Sequence, residues 1–136
     1  MALYSFTEKI LAGRAIDVYN YGRMERDFTF IDDIVAGVVA SLDRPLGFEV
    51  LNLGNSQTVL LERFIDVLEG ALGVPAIRNY LPIQPGDVPR TYADVTRARE
   101  LLGWAPTTPI EQGVPRFVEW YRGYHGRAPE SAPKGG

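Results

Sequence analysis

Apolar and polar positions alternate along this chain with two periods, one helical and one of strand type. Leu3, Phe6, Ile10 and Leu11 share one helical face, and Gly13 is placed to stop that helix. Ile16 to Tyr19 is short and β-like, closing at Asn20-Tyr21-Gly22. Phe28, Thr29, Phe30 and Ile31 form a second β-type run. Asp32 or Asp33 then caps a helix whose apolar face is Ile34, Val35, Val38, Val39 and Leu42, ended by Pro45 and Gly47. Phe48 to Leu53 has a strong strand pattern, followed by the turn Gly54-Asn55-Ser56. A helix beginning near Thr58 carries Leu61, Phe64, Ile65, Leu68 and Leu72, with Gly73 as its stop. Ile77 to Leu81 reads as a further strand, and Asp94 caps a short helix, Val95 to Leu102, closed by Gly103.

The last helix has the clearest local signature. Thr108-Pro109-Ile110-Glu111 reads as a capping box, and the face Ile110, Val114, Phe117 and Tyr121 follows. Pro115 lies inside that pattern, where it predicts a kink or a cost of about 3 kcal/mol. Residues 126–136 are rich in proline, glycine and serine and read as a disordered tail.

Composition narrows the function classes. The chain has 136 residues, 46% of them apolar, enough for one domain with a real core. No apolar run reaches the length of a membrane-spanning helix, and Met1 leads straight into an amphipathic segment rather than a signal peptide. A net charge of −3 argues against a nucleic-acid partner. With no cysteine and one histidine, disulfides, thiolate chemistry and a zinc centre are all disfavoured. A cytoplasmic protein is the expectation.

Two stretches carry candidate chemistry. In the first, Gly22 to Asp33, a glycine turn leads to an arginine at a loop–strand junction, where a guanidinium can fork onto phosphate oxygens. The paired aspartates Asp32 and Asp33 also suit a metal or an acid–base pair, but capping accounts for them better, since the helix dipole favours acids in the first turn. In the second, Gln84-Pro85-Gly86-Asp87-Val88-Pro89, a tight turn offers an amide and a carboxylate to a polar ligand. Other chemistries lack their motifs: there is no G-x-S-x-G, no H-E-x-x-H and no phosphate-binding P-loop. His125 stands alone beside the tail and reads as solvated.

Together these stretches resemble the C-terminal part of the extended short-chain dehydrogenase/reductase family, and most nearly the NAD-dependent nucleotide-sugar epimerases of the UDP-glucuronate 4-epimerase type. Carrying the resemblance are Asp17-Val18-Tyr19-Asn20-Tyr21-Gly22, Arg26-Asp27-Phe28-Thr29, Ile31-Asp32-Asp33, Gln84 to Pro89 and Tyr92-Ala93-Asp94. It runs from Met1 to about Tyr124 and implies an α/β fold of several helices and short strands. Residues 1–125 would form a UDP-binding unit corresponding to the family's C-terminal half, without the N-terminal Rossmann half.

The resemblance also implies roles. Arg26 would meet the diphosphate, Asp87 the ribose hydroxyls and Gln84 the phosphates, with backbone groups near Val18 and Tyr19 reading the uracil edge. A structural reading pairs Arg26 with Asp27 or Asp33 and makes Val18 a core residue. The glutamine at position 84 favours the glucuronate branch, because UDP-galactose epimerases usually have arginine there. NAD belongs to the intact family enzyme, yet this sequence has no G-x-G-x-x-G. Its two lysines, Lys9 and Lys134, do not follow a tyrosine at the four-residue spacing of the family's base. Neither cofactor nor catalytic residue is therefore expected in this chain. Met1-Ala2-Leu3 resembles an internal stretch, so the expectation is part of a UDP-sugar epimerase that holds UDP and is inactive alone. The alternatives are the matching half of a UDP-glucose 4-epimerase, a dTDP-glucose dehydratase or a UDP-glucuronate decarboxylase, or a non-catalytic interaction module. Strand edges left open by a missing half favour self-association.

Overall fold

The computed structural model describes residues 2–44 and 47–126. In chain order the elements are α1 (Ala2–Leu11), β1 (Ala15–Tyr19), a 3₁₀ turn (Asn20–Gly22), β2 (Glu25–Arg26), α2 (Ile31–Asp43), β3 (Val59–Leu60), α3 (Leu61–Leu72), β4 (Ile77–Leu81), α4 (Thr96–Leu102) and α5 (Ile110–Gly126). This is the α/β arrangement of helices and short strands that the sequence implies. β1 and β4 pair in parallel, with Val18 opposite Tyr80 and Tyr19 opposite Leu81. β2 and β3 pair antiparallel, Arg26 opposite Val59.

The main core lies where α1, α3 and α5 pack around β1. Ile10, Ile16, Val18, Phe64, Ile65 and Leu68 are all essentially inaccessible to solvent. Each follows from the periodicities above: the α3 face Leu61, Phe64, Ile65, Leu68 and Leu72 is buried throughout. Burying side chains of this size contributes roughly 1.5–3 kcal/mol apiece before entropy is counted. α3 ends at Gly73 in the left-handed conformation, φ 69°, where the amide caps the helix on the Glu69 carbonyl. A smaller cluster of Val95, Ala98, Leu102 and Trp104 packs α4 against Leu51, Leu53 and Ala93.

Several expectations are corrected. Phe28 to Phe30 form no strand, and Ile31 opens α2; the strand of this region is Glu25–Arg26. Phe28 instead stacks on Phe64, with ring centroids 4.1 Å apart, so packing decides against pairing. Phe48 to Leu53 also form no strand. A strand needs a neighbour to take its amides and carbonyls, and no described residue supplies one. The apolar face of α2 is not a core face: Val35, Val38, Val39 and Leu42 are exposed, as are Phe48 (91%) and Val50.

The helix caps differ too. α2 is entered through Phe30 without a side-chain cap. The Thr108–Glu111 capping box does not close, because the Thr108 amide and hydroxyl turn to Asp33 and Glu111 meets Arg63. α3 starts three residues after Thr58, at Leu61. α5 runs through Pro115, which sits on its exposed side, and continues to Gly126. The expected tail therefore starts no earlier than residue 127, and residues 127–136 lie outside the described part, as do Pro45 and Leu46.

Candidate functional site

β2 is only two residues long, and it is wedged between two neighbours. On one side it pairs with β3. On the other, the Glu25 amide donates to the Pro89 carbonyl at 2.7 Å and the Thr91 amide donates to the Glu25 carbonyl at 3.0 Å. This lays the segment after the Gln84–Asp87 turn alongside the arginine strand. In that turn the Asp87 amide donates to the Gln84 carbonyl at 3.1 Å, and Gly86 takes φ 81°, which glycine adopts without the Cβ penalty.

Two residues singled out from the sequence are thereby brought together. Arg26 Nη2 donates to Asp87 Oδ1 at 3.1 Å across 61 positions of chain. Arg26 Nη1 donates to the Glu25 carbonyl at 3.0 Å. The structural reading that pairs Arg26 with Asp27 or Asp33 is thus corrected: its partner is Asp87. Asp87 Oδ1 also accepts from the Val88 amide at 3.0 Å. Both side chains keep solvent access, so the pair can be reached by a ligand.

Val18 and Tyr19 stand on β1 beside β4, the strand that runs into the Gln84 turn. Val18 is fully buried, backbone as well as side chain, and Tyr19 is half-buried. β4 is tied down by Arg78, which bonds Asp66 at 2.7 Å and Glu69 at 2.9 Å, and also Glu62, all from α3. Burial pulls the Arg78 guanidinium down, but its bonds to Asp66 and Glu69 outweigh that and hold it above its ordinary value.

Two aspartates do more than the sequence suggested. Asp27 accepts three backbone amides, from Asn55, Ser56 and Ala93. Asp33 is buried and accepts from the Thr107 and Thr108 amides at 3.2 and 3.0 Å, while its carbonyl accepts from Trp104 Nε1 at 2.8 Å. It is a tie between α2 and the start of α5 rather than a cap or an acid–base group. His125 is exposed, as expected, but shares a hydrogen bond with the Tyr4 hydroxyl at 3.1 Å. Among the described residues no cluster of three His, Cys, Asp or Glu side chains is arranged to hold a metal, and no helix is long and apolar enough to cross a membrane.

Residues 2–54 match the model of the NAD dependent epimerase/dehydratase family. A probable UDP-glucuronate 4-epimerase of Rhizobium meliloti is 43% identical over 147 residues, covering 94% of this chain and 43% of the relative. The UDP-glucuronic acid 4-epimerase of Bacillus cereus, solved in complex with NAD, superposes with a TM-score of 0.81 at 29% identity, over 94% of this chain and 40% of that one. The chain is therefore similar to proteins of the NAD dependent epimerase/dehydratase family along nearly its whole length. It spans about two fifths of the length of these relatives. A UDP-glucose 4-epimerase of Thermotoga maritima with UDP-glucose superposes comparably, TM-score 0.83 at 28% identity over 92% of this chain and 40% of the other.

The passage from β1 into Gly22 does not form a dinucleotide cradle. A dinucleotide cradle needs a strand, an open glycine turn and a helix N-terminus facing the pyrophosphate. Here β1 runs instead into a 3₁₀ turn in which Tyr21 is left-handed, φ 53°. The space a Cβ would take at Gly22 is filled by Glu62, whose carboxylate would repel a pyrophosphate.

Proposed function

We propose that this chain holds the UDP end of the substrate in an enzyme that converts UDP-glucuronate to UDP-galacturonate through a 4-keto sugar. The observation that carries the reading is the Arg26–Asp87 pair at the edge of the Gln84 turn. A guanidinium has five N–H donors. Two of its groups contact Glu25 and Asp87, and the donors left over suit two oxygens of a diphosphate. Asp87 uses Oδ1 for Arg26 and Val88, which leaves Oδ2 for ribose hydroxyls. Gln84 would add a neutral contact to the phosphates, and the β1 backbone at Tyr19 would meet the base. Glutamine at position 84 favours the glucuronate branch over the UDP-galactose branch.

Hydride and proton transfer are not assigned to any residue of this chain. They fall to a nucleotide-binding half, which we place on the exposed face of α2 and on Phe48 to Leu53. Support comes from Val35, Val38, Val39, Leu42 and Phe48 standing uncovered, and from the strand pattern that finds no ladder. Without that half the same face would drive self-association. A cytoplasmic setting belongs to this proposal.

The test is a chimera joining this chain to the nucleotide-binding half of the Rhizobium meliloti relative. The expected result is conversion of UDP-glucuronate to UDP-galacturonate, with UDP-glucose turned over poorly. A chimera that loads NAD yet epimerises no UDP-sugar would contradict the reading.

A further inference from the structure

Asp27 is the most connected side chain near the Arg26–Asp87 pair. Its Oδ1 accepts from the Asn55 amide at 2.8 Å, and its Oδ2 accepts from the Ser56 amide at 3.0 Å and the Ala93 amide at 3.1 Å. Its own amide donates to the Thr91 hydroxyl at 3.3 Å. These partners lie 28, 29, 66 and 64 positions away in the chain. Gly54 completes the junction, since a Cβ there would come within 2.5 Å of the Ala93 Cβ and 3.2 Å of Asp27 Oδ2.

Consider what this junction does to its neighbour. Asp87 reaches Arg26 from a segment with no regular secondary structure of its own. That segment is fastened to β2 by Glu25, through Pro89 and Thr91, and then by Asp27, through Thr91 and Ala93. Arg26 lies between the two fastening residues. A long side chain holds one geometry only while its backbone and its partner's backbone are both fixed. We propose that Asp27 is a positioning residue whose carboxylate sets the register of the Asp87–Ala93 segment against β2, and so sets the Arg26–Asp87 pair. This rests on the reading that Arg26 and Asp87 face the ligand.

The chemistry calls for an ionised carboxylate. Three amide donors need acceptors on both oxygens, and only a carboxylate has two. Asparagine has nearly the same shape but turns an NH₂ toward at least one backbone N–H. Asp27→Asn therefore breaks part of the junction without opening a cavity.

The experiment uses the full chain with UDP as probe, in four forms: unaltered, Asp27→Asn, Arg26→Ala and the double variant. Urea unfolding is measured alongside, and nitrogen and carboxyl NMR resonances of Arg26 Nε and Asp87 are followed without ligand. If Asp27 acts through the pair, Asp27→Asn weakens UDP binding about tenfold alone but less than about twofold in the Arg26→Ala background. Its effect on urea stability is then the same in both backgrounds. The Arg26 Nε and Asp87 carboxyl resonances shift in Asp27→Asn even without UDP. Equal loss of UDP affinity in both backgrounds, or unmoved Arg26 and Asp87 resonances, overturns the proposal. If the unaltered chain does not bind UDP, the ligand reading fails, and the ligand-free resonances decide the positioning role alone: moved supports it, unmoved overturns it.

Discussion

Replacing Arg26 by alanine is the perturbation whose size follows most directly from the geometry. The lost guanidinium is held by two contacts, to the Glu25 carbonyl at 3.0 Å and to Asp87 at 3.1 Å, and is only partly exposed. A charge-assisted hydrogen bond to phosphate contributes roughly 1.5–3 kcal/mol, which predicts a ten- to hundredfold weaker UDP complex. The ion pair itself adds little to stability, because partly exposed pairs contribute about 0–1 kcal/mol. Affinity and stability should therefore separate. Arg26→Lys should restore only part of the affinity, since an ammonium cannot present two parallel donors. In the chimera, calorimetric titration with UDP and a melting curve read the two quantities together, and NAD binding serves as a control expected to stay constant. The loss should shrink at high salt, as an exposed charge contact requires. An unchanged UDP affinity, or a melting point that falls with little effect on binding, would make Arg26 a structural ion-pair residue and refute the reasoning.

Other residues give independent checks. Asp33→Ala should destabilise the chain by about 3 kcal/mol, because it strips acceptors from the Thr107 and Thr108 amides at a buried position; a loss below about 1 kcal/mol in urea unfolding would contradict this. Val39→Glu with Phe48→Glu should reduce self-association of the isolated chain seen by sedimentation, without lowering its melting temperature, since both side chains are exposed; unchanged association would show that another surface is responsible. The isolated chain should convert UDP-glucuronate no faster than a buffer blank, and any conversion above the blank would contradict the assignment of its chemistry to another half.

The sequence was most legible where an element and its partner both lie in this chain. The α3 pattern, the β1 and β4 runs and the glycine stop at Gly73 stand as read, because α1, α3 and α5 bury one another's faces within the described residues, and Gly103 ends α4 beside its own small cluster. It misled where no described residue supplies a partner: α2 has a core-like face that nothing described covers, and Phe48 to Leu53 has strand propensity without a ladder. Of the candidate site, Arg26, Gln84 and Asp87 were legible through local turn chemistry, and their meeting across 61 residues was not. Asp27 and Asp33 were harder still. At Asp33 a local rule sees a carboxylate near a helix start and assigns a cap, and at Asp27 it sees a neighbour for Arg26. Only the tertiary fold brings amides from residues 55, 56 and 93 to one carboxylate, and those of 107 and 108 to the other. The failed Thr108 capping box has the same cause, since Asp33 offers that threonine a charged acceptor in place of Glu111.

The account stands most directly on whether this chain recognises UDP at the Gln84 turn. An amide NMR titration of the isolated chain with UDP, against NAD as a comparison, measures that residue by residue. The account predicts saturable shifts at Arg26, at Gln84 to Val88 and at Tyr19, with none on adding NAD. Absence of shifts at Arg26 and Asp87 up to millimolar UDP, or equal shifts with NAD, would contradict it.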